Sequence, residues 1–333
     1  MERNVVAIVY HYKLVEHEQW SAHPESPLRV RTIKKKLRSE GLWNDIIPPE
    51  MITDDDVLKV HTQRHLDRLK AGGNVPVDPD TVLKTDTYRH AMLSASVAVT
   101  AVKNALKGIP TFAMARPPGH HAGKDWMGGF CYLNNVAIAV EAAGVRTAIV
   151  DLDAHHCNGT ENIFYERNDI LVIETHEDGL YPCTGQKENM GSGVGTGYNV
   201  NIPIPAGSGN KTYERAMEDI ILPILREFAP ELIVVSLGVD AHYCDQTSHM
   251  LLNTQGYVDL CKRLMDESRN GKIAFVLEGG YHLRATAEVV AGILASLDGR
   301  EIQPEYNEDK GEQSNGLREV RKAKEYIGER WKL

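Results

Sequence analysis

The sequence predicts a three-layer α/β/α domain around a central, mostly parallel β-sheet. Short runs rich in Val and Ile alternate with longer segments of helical periodicity along the whole chain, as in repeated β–α units. Several short runs are apolar throughout, among them TAIVDL, LIVVSL and IAFVL. A strand of a parallel sheet needs such a run because helices cover it on both faces. The 333 residues are enough for one large domain of this kind.

The short apolar runs are the predicted strands, and the predicted helices lie between them. We expect strands at Val5–Tyr10, Thr111–Ala115, Arg146–Asp151, Ile170–Thr175, Tyr198–Ile202, Leu232–Leu237 and Lys272–Leu277. We expect helices at Pro27–Ser39, Tyr88–Leu106, Leu133–Ala143, Asn210–Phe228, Thr254–Arg269 and Leu283–Leu297.

The sequence contains no internal repeat and no linker that would divide it, which predicts a single main domain. We expect residues 1–300 to form a single catalytic domain and residues 301–333 to form a charged C-terminal extension. Around this boundary, the polar segment Asp298–Gly316 predicts a surface connection, and Leu317–Leu333 after it predicts a charged helix.

Composition and charge narrow the class of protein. Hydrophobic residues make up 42% of the chain and charged residues 25%, which is an ordinary globular balance. The net charge of −9 argues against direct nucleic-acid binding, which needs clustered Lys and Arg. A negative field suits a cationic partner instead.

Cysteine usage and hydropathy indicate the compartment. The five cysteines are odd in number and form no Cys-x-x-Cys pair, so a reducing compartment fits better than a disulfide scaffold. The N-terminal segment MERNVVAIVYHYK lacks the apolar core of a signal peptide. No stretch reaches the roughly 20 apolar residues that span a bilayer. We expect a cytoplasmic protein that does not contact membranes, and the sequence leaves its oligomeric state open.

Side chains suited to catalysis follow four of the predicted strands. The segments after these strands read RPPGHHAGKDWMGGFCYLNN, DLDAHHCNGT, GVDAHYCD and EGGYH. Ligands bind beyond the carboxyl ends of strands in open α/β sheets, so these segments predict one shared site.

Asp153, His155 and Asp240 are the candidate metal ligands. Residues two apart in an extended segment point the same way, so Asp151, Asp153 and His155 can line one side. Two carboxylates and one imidazole suit Zn²⁺ and leave a position open for water and substrate, as in a catalytic zinc site.

His120, His121 and Tyr281 are the candidate catalytic residues. Tandem imidazoles beside a metal can supply a base for water and an acid for a leaving amine. Each needs a partner that fixes its tautomer, and Asp151 and Asn158 are available. The Tyr281 hydroxyl can donate a hydrogen bond to the oxyanion that forms when water adds to an amide carbonyl.

Together these segments resemble the histone deacetylase family, the zinc-dependent branch of the arginase/deacetylase fold. The similarity extends over about His23 to Leu297 and is closest to the class II group and its prokaryotic relatives, including the acetoin-utilisation proteins. The motifs that carry it are HPESPLR, RPPGHHA, GFCYLNN, DLDAHH with NGT, GVDAH and EGGY.

The resemblance implies a role for each matching residue. Zinc, or ferrous iron in the cell, would bind Asp153, His155 and Asp240. His121 would be the main general base and acid for a metal-activated water, with His120 as an electrostatic partner paired with Asp151. Tyr281 would polarise the acetyl carbonyl. Family members also carry a potassium ion near the DLDAHH loop, largely on backbone oxygens.

The resemblance also implies a substrate tunnel. Phe130 and Tyr181 would wall a narrow tunnel around the stem of acetyl-lysine, with Gly129 at its side. Arg29 would lie in the internal channel through which acetate leaves. Asp80, in a DT pair before a helix, would be the rim carboxylate that grips the substrate backbone.

Two residues depart from the common motifs. Asn158 stands where class I enzymes have Asp, as in class II enzymes, and a neutral amide should hold His121 without favouring its protonated form. Cys157 stands where the motif usually has Gly. If that position required a positive φ, Cys157 would strain the loop.

Acetyl-lysine in proteins is the substrate that the resemblance favours, and small acetylated amines come next. The acetylpolyamine amidohydrolases of this fold carry an extra N-terminal loop, and no such segment occurs between Tyr12 and Pro27. An arginase-like enzyme with two manganese ions and a non-catalytic acetyl-lysine binder are the alternatives. The RPPGHHA loop argues against the first, and the intact set of site residues argues against the second.

Overall fold

The computed structural model describes residues 6–333. Ten strands of these residues are β1 (Ala7–Val9), β2 (Ile46–Ile47), β3 (Val75–Asp78), β4 (Thr81–Leu83), β5 (Thr111–Ala113), β6 (Thr147–Asp151), β7 (Ile170–Glu177), β8 (Asn199–Ile204), β9 (Leu232–Leu237) and β10 (Ile273–Leu277). The α-helices are α1 (Pro27–Ser39), α2 (Asp54–Val57), α3 (Gln63–Ala71), α4 (Thr87–Ala105), α5 (Asn135–Ala143), α6 (Asn158–Phe164), α7 (Asn210–Ala216), α8 (Leu222–Phe228), α9 (Thr254–Glu267), α10 (Leu283–Leu297) and α11 (Gly316–Ile327).

Eight of the strands form one sheet in the order β2-β1-β5-β10-β9-β6-β7-β8, and every neighbouring pair is parallel. The remaining two, β3 and β4, form a separate antiparallel hairpin. Helices cover both faces of the large sheet. One apolar core joins the sheet to α4 and α5, and the other joins it to α1 and α7–α11. The predicted α/β/α architecture with a mostly parallel sheet is confirmed.

The buried strands lie close to their predicted positions, because an apolar run of this length is stable only when it is buried in the sheet. All residues of β6, β7, β9 and β10 are buried, and β9 coincides with the predicted run LIVVSL. Strand β1 covers the middle of the predicted Val5–Tyr10 run, of which Val5 lies outside the described residues.

The segment predicted as a helix, Asn210–Phe228, is helical throughout, but it contains a π-helical turn at Met217–Ile221. This turn lies next to Pro223, which has no N–H for the helical ladder. One prediction about local structure was wrong. Asp80 does not precede a helix but lies in the turn of the β3–β4 hairpin.

The C-terminal segment packs against the domain through α11, which contacts β8 and α7. The indole N–H of the buried Trp331 donates to the Gly197 carbonyl at 2.8 Å. The helix ends at Ile327, earlier than the predicted Leu333. None of the helices between residues 6 and 333 is long and apolar enough to cross a membrane.

Candidate active site and metal centre

The four segments that follow β5, β6, β9 and β10 meet at one edge of the sheet. These strands are adjacent in the order β5-β10-β9-β6, and parallel strands end at the same edge. A cavity of about 300 Å³ opens there. Its lining includes Asp78, Asp80, His120, His121, Gly129, Phe130, His155, Tyr181 and Tyr281.

Asp153, His155 and Asp240 come together at this cavity. The Nδ1 atom of His155 lies 3.0 Å from Oδ1 of Asp153 and 3.1 Å from Oδ2 of Asp240. Both carboxylates are almost fully buried. Backbone N–H groups hold them in place: Gly279 donates to Asp153 at 2.9 Å, and Ala154 donates to Asp240 at 2.8 Å.

The electrostatics of this group fit a divalent cation. Burial and the neighbouring Asp153 raise the pKa of Asp240 to about 7. Burial disfavours a charged imidazole at His155, but hydrogen bonds to the two carboxylates outweigh it and raise the pKa of His155. The two buried carboxylates therefore require a positive charge between them. A metal ion with nitrogen and oxygen ligands satisfies both.

The rings of His120 and His121 lie side by side, with centroids 4.0 Å apart and planes tilted by 48°, yet their surroundings differ. Burial by itself would lower the pKa of His120. The attraction of the nearby carboxylates of Asp153 and Asp151 is larger than this effect and raises the pKa well above its ordinary value. Nδ1 of His120 is 3.3 Å from Oδ2 of Asp151. The two carboxylates therefore favour the protonated form of His120.

His121 is neutral. Burial, followed by the nearby His120 and His155, lowers its pKa well below the ordinary value. Its Nδ1 lies 2.7 Å from Oδ1 of Asn158. Since an amide oxygen only accepts hydrogen bonds, Nδ1 carries the proton and Nε2 is left with a free lone pair. His121 can therefore accept a proton at the cavity.

Tyr281 lines the cavity on a loop held by two charged residues. The backbone N–H groups of Tyr281 and His282 donate to Oδ2 of Asp245 at 2.6 and 2.8 Å. Arg29 donates from Nε to the Gly280 carbonyl at 2.7 Å and from its guanidinium to the Glu278 carbonyl. The guanidinium carbon lies 4.8 Å from the centre of the Tyr281 ring. Arg29 thus fixes the loop that carries Tyr281.

Gly129, Phe130 and Tyr181 surround the cavity. Gly129 has a φ of +54°, and a Cβ atom there would lie 2.3 Å from Cδ2 of His121, so only glycine fits without a shift. The Phe130 ring lies 5.6 Å from the Tyr281 ring, and the Tyr181 ring lies 5.0 Å from His121. Tyr181 remains 43% exposed, which puts it at the mouth of the cavity.

Asp78 and Asp80 both line the mouth, but they differ in their contacts. Oδ2 of Asp78 accepts from the Gly129 N–H at 2.7 Å, and Oδ1 accepts from the Asp80 N–H at 2.9 Å. Asp78 therefore fixes the glycine wall. The side chain of Asp80 is exposed at the rim.

Sequence reasoning assigned no role to three acidic residues that hold the site, namely Asp78, Asp245 and Glu278. Glu278 is fully buried, and its Oε2 accepts from the N–H groups of Gly119 and His120 at 2.6 and 3.1 Å. Asp245 and Glu278 lie within the GVDAHYCD and EGGYH segments, so their presence there was a usable signal.

The backbone at Cys157 answers the question of whether a side chain at this position strains the loop that follows β6. Its φ of −77° and ψ of 54° lie outside the left-handed region. A side chain is therefore tolerated there without the strain that a positive φ would cause.

Residues 23–297 match the model of the histone deacetylase domain. The chain belongs to the histone deacetylase family. A probable deacetylase of Archaeoglobus fulgidus is 38% identical over 90% of this chain and 88% of its own length. The histone deacetylase-like amidohydrolase of Pseudomonas aeruginosa is 37% identical over 78% of this chain and 73% of its own length.

Acetylpolyamine amidohydrolase 1 of Pseudomonas aeruginosa is 32% identical over 83% of this chain and 91% of its own length. Among solved structures, the crystal structure of the HDA15 HD domain superposes with a TM-score of 0.90 at 31% identity, covering 98% of this chain and 95% of that one. The predicted arginase/deacetylase fold is confirmed. Membership of the histone deacetylase family makes the chain a hydrolase of the deacetylase and amidohydrolase type.

Proposed function

We propose that this protein is a zinc-dependent deacetylase that hydrolyses N-acetyl amides, with acetyl-lysine side chains of proteins as its main substrates. One observation carries the proposal. The imidazole of His121, whose surroundings favour its neutral form, and the phenol of Tyr281 line the same cavity as His155, which forms one ligand set with Asp153 and Asp240. Hydrolysis of an amide needs a base, an oxyanion donor and an electrophile, and this cavity offers a group for each.

Asp153, His155 and Asp240 would hold the ion. A bound Zn²⁺, or Fe²⁺ in the cell, supplies Lewis acidity toward water and the amide carbonyl. The potassium ion expected on backbone oxygens of the DLDAHH loop remains a prediction.

His121 would transfer the proton in both halves of the reaction. Nε2 takes a proton from the attacking water as its oxygen bonds to the acetyl carbon. The C–N bond then breaks, and His121 returns the proton to the departing amine. Asn158 keeps Nδ1 protonated throughout, and the charge on His120 stabilises the developing negative charge.

Tyr281 would donate its hydroxyl hydrogen to the oxyanion. Burial holds the pKa of this phenol well above its ordinary value, so the proton stays on the oxygen at neutral pH. Asp245 and Arg29 fix the backbone around it. Such preorganised donors stabilise developing charge without reorganising during the reaction.

The walls of the cavity favour a linear acylated amine. Phe130 and Tyr181 offer apolar faces to a methylene stem, and the acetylated nitrogen carries no charge that would oppose entry. The exposed Asp80 could accept hydrogen bonds from the backbone of a peptide. Acetate would leave past Arg29.

Small acetylated polyamines are the second candidate, and two observations favour them. One relative at 32% identity is an acetylpolyamine amidohydrolase. Asp78 and Asp80 place carboxylates at the mouth, where they would attract the free ammonium group of such a substrate.

A substrate panel tests the proposal. The metal-loaded protein is assayed with an acetyl-lysine peptide, acetylputrescine and peptides carrying longer acyl groups. We expect release of acetate from the peptide with the highest kcat/KM, and loss of that activity in His121→Ala. A higher kcat/KM for acetylputrescine would favour the second candidate. Peptide binding without turnover of any substrate would favour a non-catalytic acetyl-lysine binder.

A further inference from the structure

A second group of metal-ligating side chains lies beside the first and has no part in the proposed reaction. His156 follows His155 in the chain, Glu161 lies in α6, and Glu174 lies in β7. One ligand atom from each of the three residues lies within 4.8 Å of the others.

The geometry of this group repeats that of the first. Nε2 of His156 lies 3.3 Å from Oε2 of Glu161 and 3.2 Å from Oε1 of Glu174. A single N–H cannot point at two carboxylate oxygens at once, so one of them is left without a donor. Oε1 of Glu174 is indeed buried without a hydrogen-bond partner. Oε2 of Glu161 also accepts from the side-chain amides of Asn199 and Asn201 at 2.7 and 2.8 Å, so the atom that a cation here would satisfy is Oε1 of Glu174.

His176 is an independent sign of a ligand at this place. Its side chain is 1% exposed, and neither ring nitrogen has a hydrogen-bond partner. The ring centroid lies 5.2 Å from that of His156, and Nδ1 lies 3.6 Å from Oε2 of Glu174. Buried polar atoms are nearly always partnered, so an imidazole in this state indicates a further group that it binds.

Outer contacts orient the ligand atoms toward one another. Nδ1 of His156 lies 2.7 Å from the Thr184 hydroxyl, so its Nε2 faces the two carboxylates. Oε2 of Glu174 accepts from the Cys157 N–H at 2.8 Å. A hydrogen bond from the far nitrogen of a histidine to an oxygen is a common support for metal ligands.

The loop that carries Tyr181 covers this group. Gly185 has a φ of +88°, and a Cβ atom there would lie 2.6 Å from Cε1 of His176 and 2.7 Å from Cγ of His156. The backbone therefore closes directly over both imidazoles. Because the side chains are enclosed, the arrangement is typical of a structural ion rather than a catalytic one.

We propose that His156, Glu161 and Glu174 bind a second divalent ion of the zinc type, separate from the ion at Asp153. One imidazole and two carboxylates offer the nitrogen and oxygen ligands that suit such an ion, and the imidazole of His176 lies beside them. The ion joins α6 and β7 to the loop that carries His155. This proposal does not depend on the proposed hydrolase activity.

Metal stoichiometry tests the second site. The purified full-length chain is loaded with Zn²⁺ in buffer with constant excess K⁺, dialysed, and its metal content measured by mass spectrometry. We expect two zinc ions per chain, and one in each of Glu174→Gln and Asp240→Asn. One zinc ion in the parent that survives in Glu174→Gln but is lost in Asp240→Asn would overturn the proposal and leave His156 as a charged partner of two carboxylates.

A second measurement covers the case in which Glu174→Gln does not fold. In the Asp240→Asn background, Zn²⁺ should raise the melting temperature by about 5 °C or more, because an ion that binds only the native state stabilises it. Adding Glu161→Gln, at a partly exposed position, should abolish that rise. A melting temperature of Asp240→Asn that does not respond to Zn²⁺, or that responds equally with Glu161→Gln present, would contradict the second site.

Discussion

Nδ1 of His121 lies 2.7 Å from the amide oxygen of Asn158, whereas Nδ1 of the adjacent His120 faces the carboxylate of Asp151 at 3.3 Å. These two neighbouring imidazoles therefore differ in the form that their surroundings favour: the neutral form for His121 and the protonated form for His120. Burial keeps the pKa of His121 low, because no carboxylate compensates for it directly. At His120 the effect of Asp153 and Asp151 exceeds that of burial and raises the pKa. One ring can therefore accept a proton while the other carries positive charge.

Asn158→Asp should move the acid limb of the pH–rate profile. A carboxylate at this position favours protonated His121, so its pKa rises by about 1 unit or more. As the pH is lowered, His121 is then protonated at a higher pH than in the parent and can no longer act as a base. The decline of kcat/KM for an acetyl-lysine peptide should therefore begin at a higher pH. The control is Asn162→Asp, which adds the same charge one helical turn further along α6. Coincident acid limbs in Asn158→Asp and the parent would show that His121 is not the base.

Tyr281→Phe should lower kcat by about 100-fold to 1000-fold, because it removes one donor to the oxyanion. Metal content should not change, since Tyr281 lies outside the ligand set. Tyr181→Phe is the matched control: it removes the same hydroxyl from a half-exposed ring at the mouth and should alter kcat only slightly. Equal losses in the two variants, or normal turnover in Tyr281→Phe, would remove Tyr281 from the mechanism.

The elements that could be predicted from the sequence were those whose position depends mainly on one effect, such as the burial of an apolar run. The LIVVSL run of β9 is almost entirely apolar, and all six of its residues are buried between the two helical layers, as expected for a central strand. The clusters after β5, β6, β9 and β10 were expected to meet because parallel strands end at one edge. The hairpin containing Asp80 was missed because its strands are short and partly exposed, which leaves little apolar pattern.

Long-range hydrogen bonds could not be predicted in the same way. Glu278 and Gly119 are 159 residues apart in the chain, and no local pattern indicates that the carboxylate of one accepts from the backbone of the other. The same holds for Asp78 and Gly129. Residue types near a motif can be selected as candidates, but only the assembled fold shows what they support.

Glu25→Gln should destabilise the protein by about 3–5 kcal/mol, because it leaves buried arginines without their counter-charge. Oε1 of Glu25 lies 2.7 Å from Nε of Arg116 and 3.5 Å from Nη1 of Arg29, and all three side chains are buried. Urea unfolding gives the free energy directly. Glu50→Gln, which breaks the exposed pair with Lys103, should leave that free energy nearly unchanged. Similar effects of the two substitutions would contradict the assignment of Glu25 as a buried counter-charge.

Stability should fall as the pH drops from about 6.5 to about 4. Burial lowers the pKa of His17 and His61 to about 3 and of His65 and His242 to about 4. The unfolded chain binds protons at these residues near the ordinary pKa of 6.5, whereas the folded chain does not. Within this window, each histidine therefore lowers the free energy of unfolding by about 1.4 kcal/mol for each unit by which the pH falls. Above about pH 6.5 none of this free energy is lost.

His65→Gln tests this pH dependence, since an amide can still donate to the Tyr132 carbonyl that His65 contacts at 2.7 Å. Urea-unfolding free energies measured through the window should depend less steeply on pH in the variant, by about 1.4 kcal/mol per unit. An unchanged slope would show that His65 does not resist protonation in the native state.

Removal and return of the metal is the most direct test of the proposed chemistry. Protein stripped with a chelator should not hydrolyse an acetyl-lysine peptide, and adding Zn²⁺ or Fe²⁺ should restore acetate release. Asp240→Asn should stay inactive at the same metal concentration, because the ion loses one of its two carboxylate ligands. Full turnover by the stripped protein, or equal recovery in Asp240→Asn, would contradict a reaction that depends on an ion held by Asp153, His155 and Asp240.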